Sequence, residues 1–433
     1  LNVGEWQMLP RSGDEIWPTK DYSRIPYWVF TDEALYRQEL DKIFYGSTWN
    51  YVGLEAEIPE WGDFKTTYVG ETPIIVSRAR DGGLIALVNR CGHRGAMVRR
   101  ERFGNEKTHT CIYHRWCYSL EGDLIGIPFK RGVNGKGGLE KGFNEKEHGL
   151  KRLRIESFKG MMFVTFDHDM ISLPDYLGPL NQEQISRIMC RPIKILGFQK
   201  QVINGNWKLY QENLRDTYHA SLLHSFFVTF GLDRVTNPGG TRLDASKGHS
   251  FVFNRPDPAA ADSLVNEEST KVYASEGVKA DRVSLEDTWF LGFHPQYDDD
   301  MRLYLACLFP NAHYQQMNNC LNTRQMIPRG PNSFEVVWTI FGYEDDGEEL
   351  AALRKHQANF IGPAGFVSME DAEVIENMQT AFKDERHAYS VVEMGGRGPI
   401  IAESDNKVNE IPIRGFWSKY ARLMDLEPTG GER

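Results

Sequence analysis

The feature that most restricts what this chain can become is a pair of short ligand motifs, Cys91-Gly92-His93 and Cys111-Ile112-Tyr113-His114, with 17 residues between them. Each follows a segment that reads as a β-strand, so two loops can close on one metal group. Whatever fold carries them must hold two neighbouring loops of a β module at a fixed spacing.

Thiolate and imidazole in equal number are the ligands of a [2Fe-2S] cluster in which two His replace two Cys on one iron. Neutral imidazoles donate less negative charge than thiolates, so such a cluster takes up an electron more readily than an all-thiolate one. Two Cys and two His also satisfy tetrahedral zinc. Zinc motifs usually pair Cys with Cys and His with His, so the alternation seen here favours the two-iron reading.

A second group of metal-competent side chains follows Asn206: Glu212, Asn213, Asp216, Tyr218, His219 and His224. On a regular helix five residues rotate a side chain by about 140°, so His219 and His224 share an ion only if the helix is widened or ends between them. Such an irregularity is expected. Two His and one carboxylate leave open positions on Fe(II) for O₂. The carboxylate must come from elsewhere, and Glu370, Asp371 and Glu373 stand together at the start of a predicted helix.

Short β segments run from about residue 50 to 166: DFKTTYV, PIIVSR, LIALVN, CYSLEGDLIGI, LRIESF and MMFVTF. After Pro192 a strand-like PIKILGFQKQVI leads into the helical NWKLYQENLRDTYHASLLHSF. Strand candidates TWFLGF, MRLYLACLF, CLNTRQMI and SFEVVWTIFGY come next, and then three helical segments. Strands followed by helices predict an α+β domain. The polar stretch Thr236–Asp287 is too long for an ordinary connection and reads as a lid or mobile loop.

A chain of 433 residues, 41% of them hydrophobic, can bury a large core. Its 60 acidic and 50 basic residues are well mixed and give a net charge of −10, which argues against a nucleic-acid partner. No apolar run approaches a membrane span and the first residues lack signal-peptide zones, so the expectation is a soluble cytoplasmic protein without a membrane partner. The six cysteines are too sparse for a disulfide scaffold.

With the motifs in place, the chain resembles the large (alpha) subunits of Rieske non-haem iron aromatic-ring-hydroxylating oxygenases. Arg94-Gly95 and Trp116 flank the cluster ligands as in that family, while Arg115 stands where the family often has Gly. The run Asn206-Trp207-Lys208 with Glu212-Asn213, Asp216, Tyr218-His219 and His224 looks like its mononuclear-iron motif. The resemblance implies Asp371 as third ligand, with Glu370 before it in place of the more usual Asp. It also implies an all-β Rieske [2Fe-2S] domain over 48–168. A helix-grip-like catalytic domain, a large antiparallel sheet flanked by helices, would take 1–47 and 169–433.

Asp216, three residues before His219, is placed to orient that ring. Family likeness implies that it also bridges to His114 of a neighbouring subunit, which requires an α3β3 hexamer with a small beta subunit, or α3 alone. Asn213 is assigned to the catalytic group on the same likeness. No G-x-G-x-x-G turn is present, since Glu140 stands where Gly135 and Gly137 would need a third Gly. No directly bound NAD or flavin is therefore expected, and electrons from NADH would arrive through a separate reductase, ferredoxin or both.

Gly62-Asp63-Phe64, Gly132-Val-Asn-Gly-Lys-Gly-Gly, Gly362-Pro-Ala-Gly-Phe and Glu393-Met-Gly-Gly are similar to the aromatic-carboxylate branch. The substrates implied are salicylate, anthranilate, terephthalate or a substituted benzoate, hydroxylated with O₂ to a cis-dihydrodiol or a monohydroxylated ring. The alternative is oxidative O- or N-dealkylation. Arg324 and Arg414 are the candidate carboxylate clamps, because a guanidinium fork binds a carboxylate through two hydrogen bonds.

Overall fold

The computed structural model describes residues 17–256, 267–278, 286–385 and 388–428. Residues 1–16 of the expected catalytic segment 1–47 lie outside them. Strand β1 (Arg24–Pro26) pairs with a late strand, β19 (Tyr389–Val391), and is followed by helices α1 (Trp28–Thr31) and α2 (Glu33–Glu39).

An antiparallel sheet follows, made of β2 (Asn50–Leu54), β3 (Asp63–Val69), β4 (Thr72–Arg78), β5 (Leu84–Val88), β6 (Phe103–Asn105), β10 (Arg152–Phe158) and β11 (Met161–Thr165). Its strand order is β2-β11-β10-β5-β4-β3-β6. Beside it β7 (Thr108–Thr110), β8 (Cys117–Ser119) and β9 (Leu124–Gly126) form a small sheet. Phe64, Ile75, Leu87, Trp116 and Tyr118 make the core that holds the two together.

After helix α3 (Leu173–Ile188) the chain builds a second antiparallel sheet. Its strands are β12 (Ile193–Ile203), β13 (Gly239–Leu243), β14 (Ser250–Asn254), β15 (Leu303–Leu308), β16 (Ala312–Met317), β17 (Cys320–Pro328), β18 (Phe334–Tyr343) and β20 (Glu403–Ser404). They run in the order β12-β18-β17-β16-β15-β14-β13-β20. Side chains alternate between faces. On β14 and β15, Phe251, Phe253, Tyr304 and Ala306 pack toward α3 and the first sheet. Their neighbours Val252, Leu303, Leu305 and Cys307 face the other way.

That second face is covered by α4 (Trp207–Asn213), α5 (Ala220–Leu223), α6 (Ser225–Phe230), α8 (Glu348–Ile361), α9 (Phe366–Ala381) and α10 (Ile411–Met424). The two sheets are bonded through buried groups. Asn311 exchanges hydrogen bonds with the Tyr51 backbone at 2.8 and 3.1 Å, and the Tyr51 hydroxyl meets Thr323 Oγ1 at 2.8 Å.

Two expectations change. Thr236–Asp287 is not one loop, because it contains β13, β14 and helix α7 (Glu267–Ser275), although 257–266 and 279–285 lie outside the described residues. Its turn Ala245–Gly248 closes a hairpin whose strands carry enough polar residues to hide their alternation. TWFLGF forms a 3₁₀ turn at Trp289–Leu291 rather than a strand. Strand β16 was not foreseen, since its His313, Gln315 and Gln316 read as polar although all are buried.

Candidate metal centres

The two cysteine loops share one backbone plan. In the first, Cys91 N–H bonds to Ala96 O at 2.8 Å and Gly95 N–H to Cys91 O at 3.0 Å. In the second, Cys111 N–H bonds to Trp116 O at 2.8 Å and Arg115 N–H to Cys111 O at 3.0 Å. The fifth residue of each loop must be left-handed, with φ of 78° at Gly95 and 59° at Arg115. That explains why glycine suits this place and why Arg115 is a costly departure from it.

Cys91 and Cys111 are buried, whereas His93 is exposed and His114 half-buried. The imidazole rings stand 4.6 Å apart, and His93 stacks on Trp116 at 4.7 Å. Tyr118 Oη accepts the Gly92 N–H at 3.0 Å, so its own hydroxyl can donate to Cys91 Sγ, 3.1 Å away. Burial, with Cys91 beside it, raises the Cys111 thiol pKa, a penalty that an electropositive group between the sulfurs removes.

His219, His224 and Asp371 form a compact group, with ligand atoms all within 4.8 Å of one another. Helix α4 stops at Asn213, and Asp216 Oδ1 caps the next turn by accepting from the backbone N–H groups of Tyr218 (2.7 Å) and His219 (3.2 Å). Helix α5 then ends before His224, whose φ and ψ of −85° and 82° leave the helix. The break turns both rings to one side, as the five-residue spacing requires.

Each ring is held at both nitrogens. His219 Nδ1 lies 3.2 Å from Asp216 Oδ2, and His224 Nδ1 lies 2.7 Å from Glu370 Oε2. The opposite nitrogens, Nε2 of His219 and His224, face Asp371 Oδ1 at 3.4 and 3.2 Å. With Nδ1–H donated to the outer carboxylates, two nitrogen lone pairs point at one carboxylate oxygen, an arrangement that calls for a cation between them. Burial opposes a charged ring, yet without an ion Asp216 and Asp371 push the His219 pKa up to about 10, so a proton sits on Nε2 in the place that a bound cation would take. Burial would likewise raise the Asp371 carboxyl, but His219 and His224 hold it far below the usual carboxylate range. The donor set therefore fits a divalent iron. Asn213 Nδ2 donates to Asp371 Oδ1 at 2.9 Å and borders the open side.

A cavity with about 590 Å³ of empty space, part of it open to solvent, lies over this centre. Arg324 lines it from strand β17. The Arg324 guanidinium stacks 3.8 Å from the Trp338 ring centroid and donates to Asn322, Tyr210 and Gln315. No carboxylate among the described residues pairs with it.

Arg414 is a different matter. Helix α10 buries it away from the cavity, where it donates to the carbonyls of Gly398 (2.9 Å) and Asp21 (3.4 Å). It opens a helix as expected, but the face it occupies packs on the segments before β1 and after β19, so it is not a clamp. The contact of Glu370 with His224 was not anticipated, nor were Tyr118, Asp233, Asn254 and Lys407. Period-two alternation from Val252 would have placed Asn254 on the cavity face, but nothing local marks Lys407.

Two family models match the chain. Residues 48–136 match the Rieske [2Fe-2S] domain, and residues 182–426 match the catalytic domain of ring-hydroxylating alpha subunits. The chain belongs to the ring-hydroxylating oxygenase alpha-subunit family and is an oxidoreductase whose cofactors are a Rieske [2Fe-2S] cluster and a mononuclear non-haem iron. It is 43% identical to the anthranilate 1,2-dioxygenase large subunit of Burkholderia cepacia, over 95% of this chain and 96% of that one. It is 42% identical to the large oxygenase component of salicylate 5-hydroxylase from Ralstonia sp, over 95% and 96%. Naphthalene 1,2-dioxygenase from Rhodococcus sp shares the fold, with a TM-score of 0.76 at 24% identity over 94% of this chain and 95% of that one. Among the described residues no helix is long and apolar enough to cross a membrane.

Proposed function

We propose that this chain is the large subunit of a terminal oxygenase that hydroxylates the ring of an aromatic carboxylate with O₂. The observation that carries this reading is Arg324, a buried guanidinium without a carboxylate partner among the described residues, which lines the cavity over His219, His224 and Asp371. A buried cation left unpaired is costly, and an anionic ligand offsets that cost. Relatives that act on anthranilate, terephthalate and salicylate, at 40–43% identity, support the same substrate class.

In this reading Cys91, His93, Cys111 and His114 hold the cluster, and His219, His224 and Asp371 hold the iron. Bound there, the iron supplies a site for O₂ and the cluster supplies a stored electron. Asp216 and Glu370 fix the two histidine rings, and Asn213 holds Asp371 in place. Residues 48–168 act as the cluster domain, with 1–47 and 169–433 as the catalytic domain. Electrons come from NADH through a separate reductase, ferredoxin or both. Asp216, bonded to His219, would also bond to His114 of a neighbouring subunit and so hold the two centres close, in an α3β3 or α3 assembly in the cytoplasm.

Two measurements test this. Metal and sulfide analysis of the holoenzyme should give about three Fe and two acid-labile sulfides per chain; zinc without sulfide would end the reading. Arg324→Leu should raise KM for the benzoate-type substrate about 10- to 100-fold while leaving reduction of the cluster unchanged. An unchanged KM would remove Arg324 from the clamp.

A further inference from the structure

The cavity has two polar ends separated by an apolar floor. The floor is the site-facing side of the large sheet, where directly paired residues share a face. Leu305 on β15 pairs with Gln315 on β16 and with Val252 on β14, while Leu303 pairs with Asn254. One end is Arg324 with Gln315, on β17 and β16. The other is Asn254 on β14 with Asp233 and Lys407, and all of these residues line the cavity.

Between Gln315 and Asn254 lie two strand intervals, and between Arg324 and Asn254 three, so the ends are roughly 10–14 Å apart at the backbone. Arg324 bonds to Gln315 on β16 and Asn254 to Asp233, and the separation of these two ends matches one aromatic ring with a hydrogen bond at each side. Leu303, Leu305 and Val252 offer that ring an apolar bed.

The ends differ in charge. Arg324 has no anion among the described residues, whereas Lys407 Nζ and Asp233 Oδ1 form a buried ion pair that neutralises itself. Asn254 Nδ2 also donates to Asp233 Oδ1. Both hydrogen bonds fall on one carboxylate oxygen, leaving Oδ2 to accept from a ligand. Asp233, Asn254 and Lys407 are all more than nine-tenths buried. Taking such an ion pair out of water carries a desolvation cost that its mutual attraction need not repay, and a hydrogen bond from a ligand lowers that cost.

We infer that Asp233, Asn254 and Lys407 form a second subsite that reads a neutral hydrogen-bonding substituent, a hydroxyl or an amine. That substituent lies across the ring, meta or para, from the carboxylate bound at Arg324. The ligand is then a singly charged hydroxy- or aminobenzoate. A dicarboxylate would place a second anion beside a lysine that Asp233 already neutralises. This inference rests on the aromatic-carboxylate reading and narrows it.

The test is equilibrium binding to the purified holoenzyme by titration calorimetry, with product analysis alongside. The ligands are benzoate, salicylate, 3- and 4-hydroxybenzoate, 4-aminobenzoate and terephthalate. The expected result is that at least one meta- or para-substituted monoanion binds about tenfold or more tighter than benzoate, because a site built to bond a polar group is left unpaired without it. In the double variant Asp233→Asn/Lys407→Gln, which keeps shape and removes both charges, that ratio should fall toward one. Asn254→Asp offers a single-site check, since a second carboxylate beside Asp233 should also erase the preference.

Equal affinity for benzoate and all its derivatives, a preference for salicylate or terephthalate, or a ratio that survives in both variants would overturn the inference. Any of these with benzoate still bound through Arg324 leaves the broader reading standing. Failure of every benzoate to bind would instead strike at that broader reading.

Discussion

At the scale of single residues, the protein keeps acids where burial disfavours their charge. Glu212, on α4, accepts a 2.6 Å hydrogen bond from Trp417 Nε1. Burial first, then Glu410 and Asp216, raise its pKa from 4.5 to about 8. A raised folded-state pKa means that the folded protein holds a proton the unfolded chain has released between these values. The associated stability is complete below about 4.5 and is lost as pH rises through about 8. Glu212→Gln keeps an oxygen for Trp417 and cannot ionise, so its melting temperature should fall less than that of the parent between these two pH values. A parallel decline in both proteins would assign the pH dependence to other groups.

Single residues were also the most legible part of the sequence. Cys91, His93, Cys111 and His114 belong to two short loops, so local spacing alone displayed them. Asp371 is 147 positions beyond His224 and could be chosen over Glu370 only by family likeness. The structure then gave the two acids different atoms to meet, Nε2 for Asp371 and Nδ1 of His224 for Glu370. Arg414 misled because its surroundings come from distant backbone carbonyls, which no local pattern encodes.

At the scale of elements, the site depends on where helices stop. The two ends of α5 aim two histidines at one point, His219 just before it and His224 just after it, and the start of α9 sets the height of Glu370 and Asp371. Gly365 precedes α9, and a Cβ there would stand 1.9 Å from Phe360 O. Gly365→Ala must therefore move the start of the helix. It should cost roughly 1–3 kcal/mol of stability and lower mononuclear iron content while the cluster absorbance persists. Chemical denaturation and metal analysis read the two effects separately, and normal iron occupancy would show that α9 absorbs the shift. The five-residue spacing of the histidines made the helix break foreseeable. Strand β16 was not, because its buried polar side chains imitate a surface.

At the scale of the whole molecule, the proposed electron path crosses between subunits, and Asp216 is its contact on this chain. Asp216→Ala should retain both metal centres yet slow oxidation of the reduced cluster, with substrate and O₂ present, by roughly tenfold or more in a single turnover. Oxidation at the parent rate would reject the bridge. The two-module plan was readable from the change in hydrophobic pattern near Pro192. The bonds that lock the modules together, Tyr51 to Asn311 and Thr323, join positions more than 250 residues apart and carry no sequence signal of their own.

The alternation of the large sheet has a consequence for how such an enzyme can diversify. Alternate positions, Val252 and Asn254 on β14, Leu303 and Leu305 on β15, Gln315 on β16 and Arg324 on β17, look into the cavity, while Phe251, Phe253, Tyr304 and Leu321 hold the sheet against the rest of the protein. Adjacent codons thus answer to separate selections, one for what is bound and one for whether the chain folds. A library restricted to every second residue of β14 to β17 can explore new aromatic substrates while leaving the supporting side of the sheet untouched.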